Sequence, residues 1–165
     1  MYLAIGSGDT APTDNTDNRF SSTIPQKTNA GTYSVYYFAA ESDNYFASEM
    51  CATPVSVEIK KKKLDTPNAP TVNTSLTYTG SDIALLTAEP TLTNASMQYV
   101  FGATQGATPS FDSPLALADV KKKPAGTYYV WYRACPTDTT NYAPSDATEL
   151  TIAITPSSEI LPGCS

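Results

Sequence analysis

Short stretches in which apolar and polar residues alternate recur along the chain. At 55–59 and again at 150–154, every second side chain is apolar, which is the period of a strand with one buried face. The stretches 31–38 and 126–133 are rich in tyrosine and begin at a glycine. Tyrosine and threonine favour strands, while 13 prolines favour turns. The pattern predicts an all-β protein in which both alternating stretches are half-buried strands.

The pattern occurs twice. Residues 97–102 realign on residues 1–6, and the sequence Ala-Gly-Thr-Tyr at 30–33 recurs 95 residues later, at 125–128. Asn44-Tyr45 matches Asn141-Tyr142, and the two alternating stretches match each other. A β-sandwich of two packed antiparallel sheets takes about 100 residues. The repeat therefore predicts two tandem modules.

The two modules differ at their beginnings. Residues 64–96, 33 residues with strand candidates at 75–78 and 83–86, have no counterpart in the first module. We therefore predict an incomplete repeat at 1–63 that lacks its opening strands, a complete repeat at 64–155 and a short tail at 156–165. Such a gap exposes a sheet edge and part of a core. Either the chain is a fragment of a longer repeat protein, or another chain supplies the strands.

The segment that joins the modules combines charge and proline. Four consecutive lysines at 60–63 precede Pro67 and Pro70. Lysine and proline both discourage strand pairing at exposed edges. We expect this segment to be a solvated linker.

Composition removes several classes of function. The chain has no histidine, which is the usual general base and the commonest ligand of transition metals, and 16 acidic against 10 basic residues give a net charge of −6. This balance does not provide the basic face that nucleic acids need. No apolar stretch approaches the roughly 20 residues of a membrane span, and the first six residues lack the regions of an intact signal peptide. We expect no enzyme, no cofactor, no metal site and no nucleic-acid partner.

Four elements in order resemble bacterial immunoglobulin-like (Ig-like) repeats of large secreted or surface-anchored proteins. They are Leu-Thr-Tyr-Thr-Gly at 76–80, Met-Gln-Tyr at 97–99, the tyrosine-rich strand at 125–132, and Asn-Tyr at 141–142. The resemblance covers most of the chain. It implies tandem Ig-like antiparallel β-sandwiches, the first without its opening strands, used outside the cell or on its surface as stalk, spacer or adhesive modules. The family brings no catalytic residues.

Three kinds of candidate site remain. The three cysteines, Cys51, Cys135 and Cys164, allow one disulfide or inter-subunit link and leave one thiol. The alternative for Cys51 and Cys135 is that they pack as small buried apolar residues. The loop at 9–18 is rich in carboxylate and amide oxygens, as calcium sites are, but it departs from the EF-hand pattern, so we favour a solvated turn. The tail offers a possible donor strand, which consists of Ser157, Ser158, Glu159, Ile160 and Leu161.

Together these observations predict an extracellular structural module that acts as a stalk, spacer or filament subunit. Its incomplete first sandwich would polymerise by accepting strands from a neighbouring subunit, so its partners are other copies or neighbouring Ig-like repeats. The alternative is an adhesin that recognises a surface glycan or protein through the loops at 9–18 or 103–120.

Overall fold

The computed structural model describes residues 1–6 and 10–158, and in these residues the protein is all-β. Its only helical element there is a 3-10 turn at Leu117–Asp119. The chain divides into two compact units, Met1–Lys61 and Lys62–Ser165, called unit 1 and unit 2 below.

Unit 1 contains one antiparallel sheet of three strands. In chain order they are β1 (Tyr2–Ile5), β2 (Gly31–Phe38) and β3 (Val55–Ile59). Strand β2 is central and pairs with β1 on one edge and β3 on the other. Tyr33, Val35 and Tyr37 alternate along β2 and therefore share one face of this sheet.

The described residues of unit 2, 62–158, form nine strands, most of them short. They are β4 (Lys62–Lys63), β5 (Thr71–Val72), β6 (Ile83–Ala84), β7 (Leu86–Ala88), β8 (Ala95–Gly102), β9 (Lys121–Lys122), β10 (Gly126–Pro136), β11 (Tyr142–Ala143) and β12 (Thr148–Ile154). The long strands form an antiparallel sheet in the order β12-β10-β8. The short strand β4 pairs in parallel with β11.

A second layer covers one face of the β12-β10-β8 sheet. The stretch from β6 to β7 pairs with β9 through β6 and with β5 through β7. Between them, Leu85 donates its N–H to Val120 O (2.9 Å) and accepts from Asn73 N (2.9 Å). The two layers enclose a core as in a β-sandwich, whose buried residues are Ile83, Leu85, Leu86, Tyr99, Val120, Val130, Tyr132, Ile152 and Ile154.

The sequence repeat is reproduced in strand register. Strands β1, β2 and β3 stand where β8, β10 and β12 stand in unit 2, and we call residues at the same place counterparts. Ile5 pairs with Val35 as Phe101 pairs with Val130. Gly31 pairs with Ile59 as Gly126 pairs with Ile154. The offset of 95 or 96 residues therefore holds for every pair that both sheets share.

The repeat extends to a side-chain contact at the end of the central strand. Ser48 Oγ accepts from Ala39 N, and Ser145 Oγ accepts from Ala134 N, both at 2.9 Å. Each serine also donates to the carbonyl of the next residue. The offset here is 97, the same as between Asn44-Tyr45 and Asn141-Tyr142.

Two local predictions are corrected. The stretch at 150–154 is half-buried as expected, but in its counterpart Val55 and Val57 are 52% and 44% exposed, because no second layer faces them among the described residues of unit 1. The linker was expected to resist strand pairing, yet Lys62–Lys63 form β4. Their side chains stay exposed, so only the backbone leaves water and the lysine charges do not oppose the pairing.

Candidate functional site

Unit 1 has an apolar cleft on the face of its sheet that Val35 occupies. The cleft has a volume of about 540 Å³. Its floor comes from the three strands and its rim from residues 24–28, which carry no strand. The floor residues are Leu3, Ile5, Tyr33, Val35, Val57 and Ile59. At the rim, Ile24 is 75% exposed, which is unusual for an isoleucine beside other apolar side chains.

The counterparts of these floor residues form the core of unit 2. Tyr99, Val130, Ile152 and Ile154 correspond to Leu3, Val35, Val57 and Ile59, and each of the four is at most 2% exposed. They are covered by the second layer, which supplies Ile83, Leu85, Leu86 and Val120. The same sheet surface is therefore a closed core in unit 2 and an open cleft in unit 1.

The opposite face of the unit 1 sheet is covered around Ala4 and Phe38, while Ser56 and Glu58 on β3 are exposed there. Phe38 is 9% exposed and lies against two rings, Tyr2 with centroids 5.3 Å apart and Phe20 at 4.9 Å. Ala4 on this face is 1% exposed. The loop that carries Phe20 is attached to β1 by two backbone hydrogen bonds between Leu3 and Ser21, of 2.8 and 2.9 Å. Unit 1 thus has a sheet with one partly covered face and one open apolar face.

The edge of the cleft is built as in unit 2. Tyr33 donates its hydroxyl to Asn29 O, and its counterpart Tyr128 donates to Pro124 O, both at 2.7 Å. Lys27 Nζ lies 5.7 Å from the Tyr33 ring centroid, and Lys122 Nζ lies 5.8 Å from that of Tyr128. Since these contacts form without a second layer, the cleft is preformed for whatever covers it.

The chemistry of the cleft suits an apolar polypeptide segment. Its polar lining side chains are Gln26, Lys27, Thr28 and the Tyr33 hydroxyl, and none of them is a carboxylate that could act as an acid or a base. An unfilled sheet face with adjacent backbone edges binds extended chain through main-chain hydrogen bonds and side-chain pockets.

The carboxylates of the loop at 9–18 serve the loop itself. Arg19 donates to both oxygens of Asp17 (2.9 and 2.7 Å), and this contact holds the pKa of that carboxyl below its ordinary value of 3.8. Asp14 accepts from the N–H and hydroxyl of Thr16. Asp9 lies outside the described residues, and in the remainder no group of His, Cys, Asp and Glu side chains is placed to hold a metal ion.

The other candidates are only partly described. Cys51 and Cys135 are free, half-buried thiols, and Cys164 lies outside the described residues. In the predicted donor strand, Ser157 and Ser158 carry no strand, while Glu159, Ile160 and Leu161 are not described. The link and the donor role stay predictions.

Sequence reasoning missed the rim at 24–28 and the exposed pair Tyr45 and Phe46, which are 78% and 97% exposed. The repeat offset could have found both. In the alignment of the two repeats, the rim corresponds to β9 and the aromatic pair corresponds to β11.

Within the part of the chain that the structure describes, no helix is long and apolar enough to cross a membrane. No family model matches the chain, and the comparisons with curated proteins and with solved structures each give no significant match.

Proposed function

We propose that the protein is an extracellular structural module built of Ig-like repeats, and that its first repeat accepts strands from a neighbouring polypeptide. The observation that carries this proposal is the open apolar face of unit 1, whose counterpart in unit 2 is a closed core. Large exposed apolar surfaces with free sheet edges mark interaction sites. Its work is mechanical: it links or spaces modules, with no chemistry of its own.

Three features support the Ig-like assignment. A sheet of three long antiparallel strands in the order β12-β10-β8 faces a second layer made of β5, β6, β7 and β9. In Ig domains, a tyrosine near the start of a central strand donates its hydroxyl to the backbone a few residues upstream. Tyr128 does so at the start of β10, and Tyr33 does so at the start of β2. The repeat length of 95 residues also equals one such domain.

The acceptor and the donor would lie on different surfaces of a subunit, which decides the kind of assembly. A contact between two different surfaces is heterologous, so it propagates head to tail unless the rotation closes a ring. A filament or an extended stalk is therefore the expected product. The acidic net charge of −6 limits nonspecific association, which leaves the cleft as the directing surface.

Self-association of the purified full chain tests the proposal. Light scattering gives the mass, and negative-stain electron microscopy gives the shape, over a series of protein concentrations. We expect linear assemblies that Val57→Asp abolishes, because Val57 lies in the cleft and is already 44% exposed. Ser56→Asp is the matched control, since Ser56 is exposed on the same strand with its side chain on the other face.

A variant that lacks residues 156–165 tests whether the tail is the donor strand. Loss of assembly in this variant assigns the donor to the tail, and retained assembly moves it elsewhere. A monodisperse monomer at all concentrations overturns polymerisation. Saturable binding of a glycan or protein by that monomer would favour the adhesin instead.

A further inference from the structure

We propose that the acceptor surface of unit 1 binds one continuous segment of repeat sequence from outside residues 1–165, with a lysine pair at its start and an apolar strand about twenty residues later. This is the pattern of residues 62–88. The inference rests on the proposed function and names the partner of the same site. Three separate places on unit 1 carry it, each identified by its counterpart in unit 2.

The first place is the exposed pair Tyr45 and Phe46. Their counterparts Tyr142 and Ala143 form β11, which is paired with β4. There, Lys62 N donates to Asn141 O (2.8 Å) and Leu64 N donates to Ala143 O (3.0 Å). In unit 1 the described strands provide no such neighbour, and Phe46 is 97% exposed. The start of the partner segment would pair here in parallel.

Charge at this place selects a basic partner. Lys63 Nζ lies 2.6 Å from Asp146 Oδ1. With the offset of 97 that relates Ser48 to Ser145, the counterpart of Asp146 is Glu49. Glu49 is exposed, so a carboxylate stands where the incoming lysine of the partner would lie. Tyr45 itself exchanges two backbone hydrogen bonds with Ser42 (2.9 and 3.2 Å), so the incoming strand would bond to the carbonyl groups of Asn44 and Phe46. These carbonyl groups and the acidic side chain together indicate a strand that begins with lysine.

The second place is the rim of the cleft. In unit 2, Ile83 and Ala84 pair with Lys122 and Lys121, and Leu85 N donates to Val120 O. The counterparts of Lys122, Lys121 and Val120 are Lys27, Gln26 and Pro25, which all lie in the rim. This fixes the register of the partner: an Ile-x-Leu-Leu strand runs antiparallel to 25–27 and places its apolar side chains over Val35 and Val57.

The third place is the end of β3. In unit 2 the residue after β12 is Thr155, which exchanges backbone hydrogen bonds of 2.8 Å with Leu76 and Tyr78. The counterpart of Thr155 is Lys60. In unit 2 one uninterrupted stretch, 62–88, reaches all three places. A single segment of similar length is therefore sufficient for unit 1.

Two segments within residues 1–165 are candidates, and neither meets this requirement. The segment 62–88 is used in unit 2, where Leu85 and Leu86 are 0% and 2% exposed, so donating it would open an equal core. The tail has five residues between Pro156 and Pro162, and prolines end strand pairing. A strand of five residues reaches one place, not three. The occupant of the cleft is therefore a segment of this pattern that lies outside residues 1–165 of the subunit it completes.

Binding of a synthetic peptide with the sequence of residues 62–88 to the full chain tests this inference. We expect saturable binding by calorimetry, with new protection from hydrogen exchange at 24–28 and 55–59 and unchanged exchange at 148–154. The peptide with Leu85→Asp should not bind measurably. Glu49→Lys in the chain should weaken binding about three- to ten-fold, and a peptide with Lys63→Glu should restore binding to that variant. Glu58→Lys is the control, because Glu58 lies on the other face of β3, and it should have little effect.

A fusion covers the case in which the free peptide aggregates. A second copy of residues 62–96 placed before Met1 of the full chain reproduces the natural connection from Ser96 to Met97. It should protect the same amides, and Leu85→Asp within the added copy should remove that protection. Protection in neither experiment overturns the inference. Protection in the fusion, together with an unfused chain that stays monomeric at all concentrations, would sink the polymerising function and leave the named segment intact.

Discussion

Trp131 and Gly102 illustrate how single atoms limit substitution in unit 2. The indole N–H of Trp131 is buried without a hydrogen-bond acceptor in the described residues. A Cβ on Gly102 would lie 2.8 Å from Trp131 Nε1 and 3.0 Å from Cδ1. Both distances are shorter than van der Waals contact, and the ring, 6% exposed, has little room to move. Glycine is therefore required here by packing.

We predict that Gly102→Ala lowers the free energy of unfolding of unit 2 by about 1–3 kcal/mol through overpacking. In a Trp131→Phe background the cost should be smaller, because phenylalanine has a smaller ring without the indole nitrogen. Urea denaturation followed by far-ultraviolet circular dichroism measures all four proteins of this double-mutant cycle. Equal costs in the two backgrounds would show that the strain does not come from the indole.

Tyr99 predicts a loss of stability in alkali. Its side chain is fully buried, and its hydroxyl donates to Glu89 Oε2 at 2.9 Å. Burial, and then the hydrogen bond to Glu89, raise the pKa of Tyr99 above its ordinary value of 10. The unfolded chain therefore loses this proton first, so the stability of unit 2 should be constant below about pH 10 and fall as the pH rises further.

The measurement is the urea midpoint between pH 8 and pH 11.5, followed by fluorescence of Trp131, the one tryptophan of the chain. Tyr99→Phe should reduce the alkaline slope. Tyr142→Phe is the control, because it removes a tyrosine hydroxyl from the same unit at a side chain that is 38% exposed. An unchanged slope in Tyr99→Phe would contradict the assignment.

At the scale of strands, counterpart positions in β12 and β3 should respond differently to the same change. Ile152 is 2% exposed and Val57 is 44% exposed, although they occupy the same place in the repeat. We predict that Ile152→Ala costs about 2–5 kcal/mol, whereas Val57→Ala changes stability by less than about 0.5 kcal/mol. Trp131 fluorescence in urea measures the first, and hydrogen exchange of β2 and β3 measures the second. A comparable loss at both positions would mean that the cleft is covered in solution.

The same strands show what the sequence could predict. Alternation and the repeat offset predict strands at 31–38 and 55–59 and their correspondence with 126–133 and 150–154, but not the pairing partners or register of β1, β2 and β3, which come from the structure. They do not give burial, since 55–59 and 150–154 have the same pattern but only the second faces another layer. The short strand β4 was missed because two residues carry no pattern and pair only through tertiary contacts.

The candidate site was predicted as a gap and not as a set of residues. The 33 residues without a counterpart indicated an open edge and an open core, and the strand expected at 83–86 corresponds to β6 and the start of β7. The expected strand at 75–78 is reduced to a bridge at Thr77. The rim at 24–28 has no strand pattern to detect, because its counterpart β9 is a strand only through its partner β6.

For the whole molecule, the uneven distribution of buried residues predicts two levels of stability. Among the described residues, fourteen apolar residues other than proline are buried, and only Ala4 and Phe38 of them lie in unit 1. Regions with few buried apolar contacts open with a lower free energy than the core. Hydrogen exchange of the dilute full chain should therefore be at least ten-fold faster in β2 and β3 than in β10 and β12, which corresponds to about 1.4 kcal/mol.

The dependence of exchange on protein concentration shows whether other copies of the chain cover the cleft or leave it open. If the cleft is an acceptor used in self-association, protection of β2 and β3 should rise with protein concentration while that of β10 and β12 stays constant, because binding stabilises only the unit that it covers. Val57→Asp should abolish the rise, and Ser56→Asp should retain it. Fast exchange of β2 and β3 at every concentration would mean that residues 1–165 of other copies do not cover the cleft.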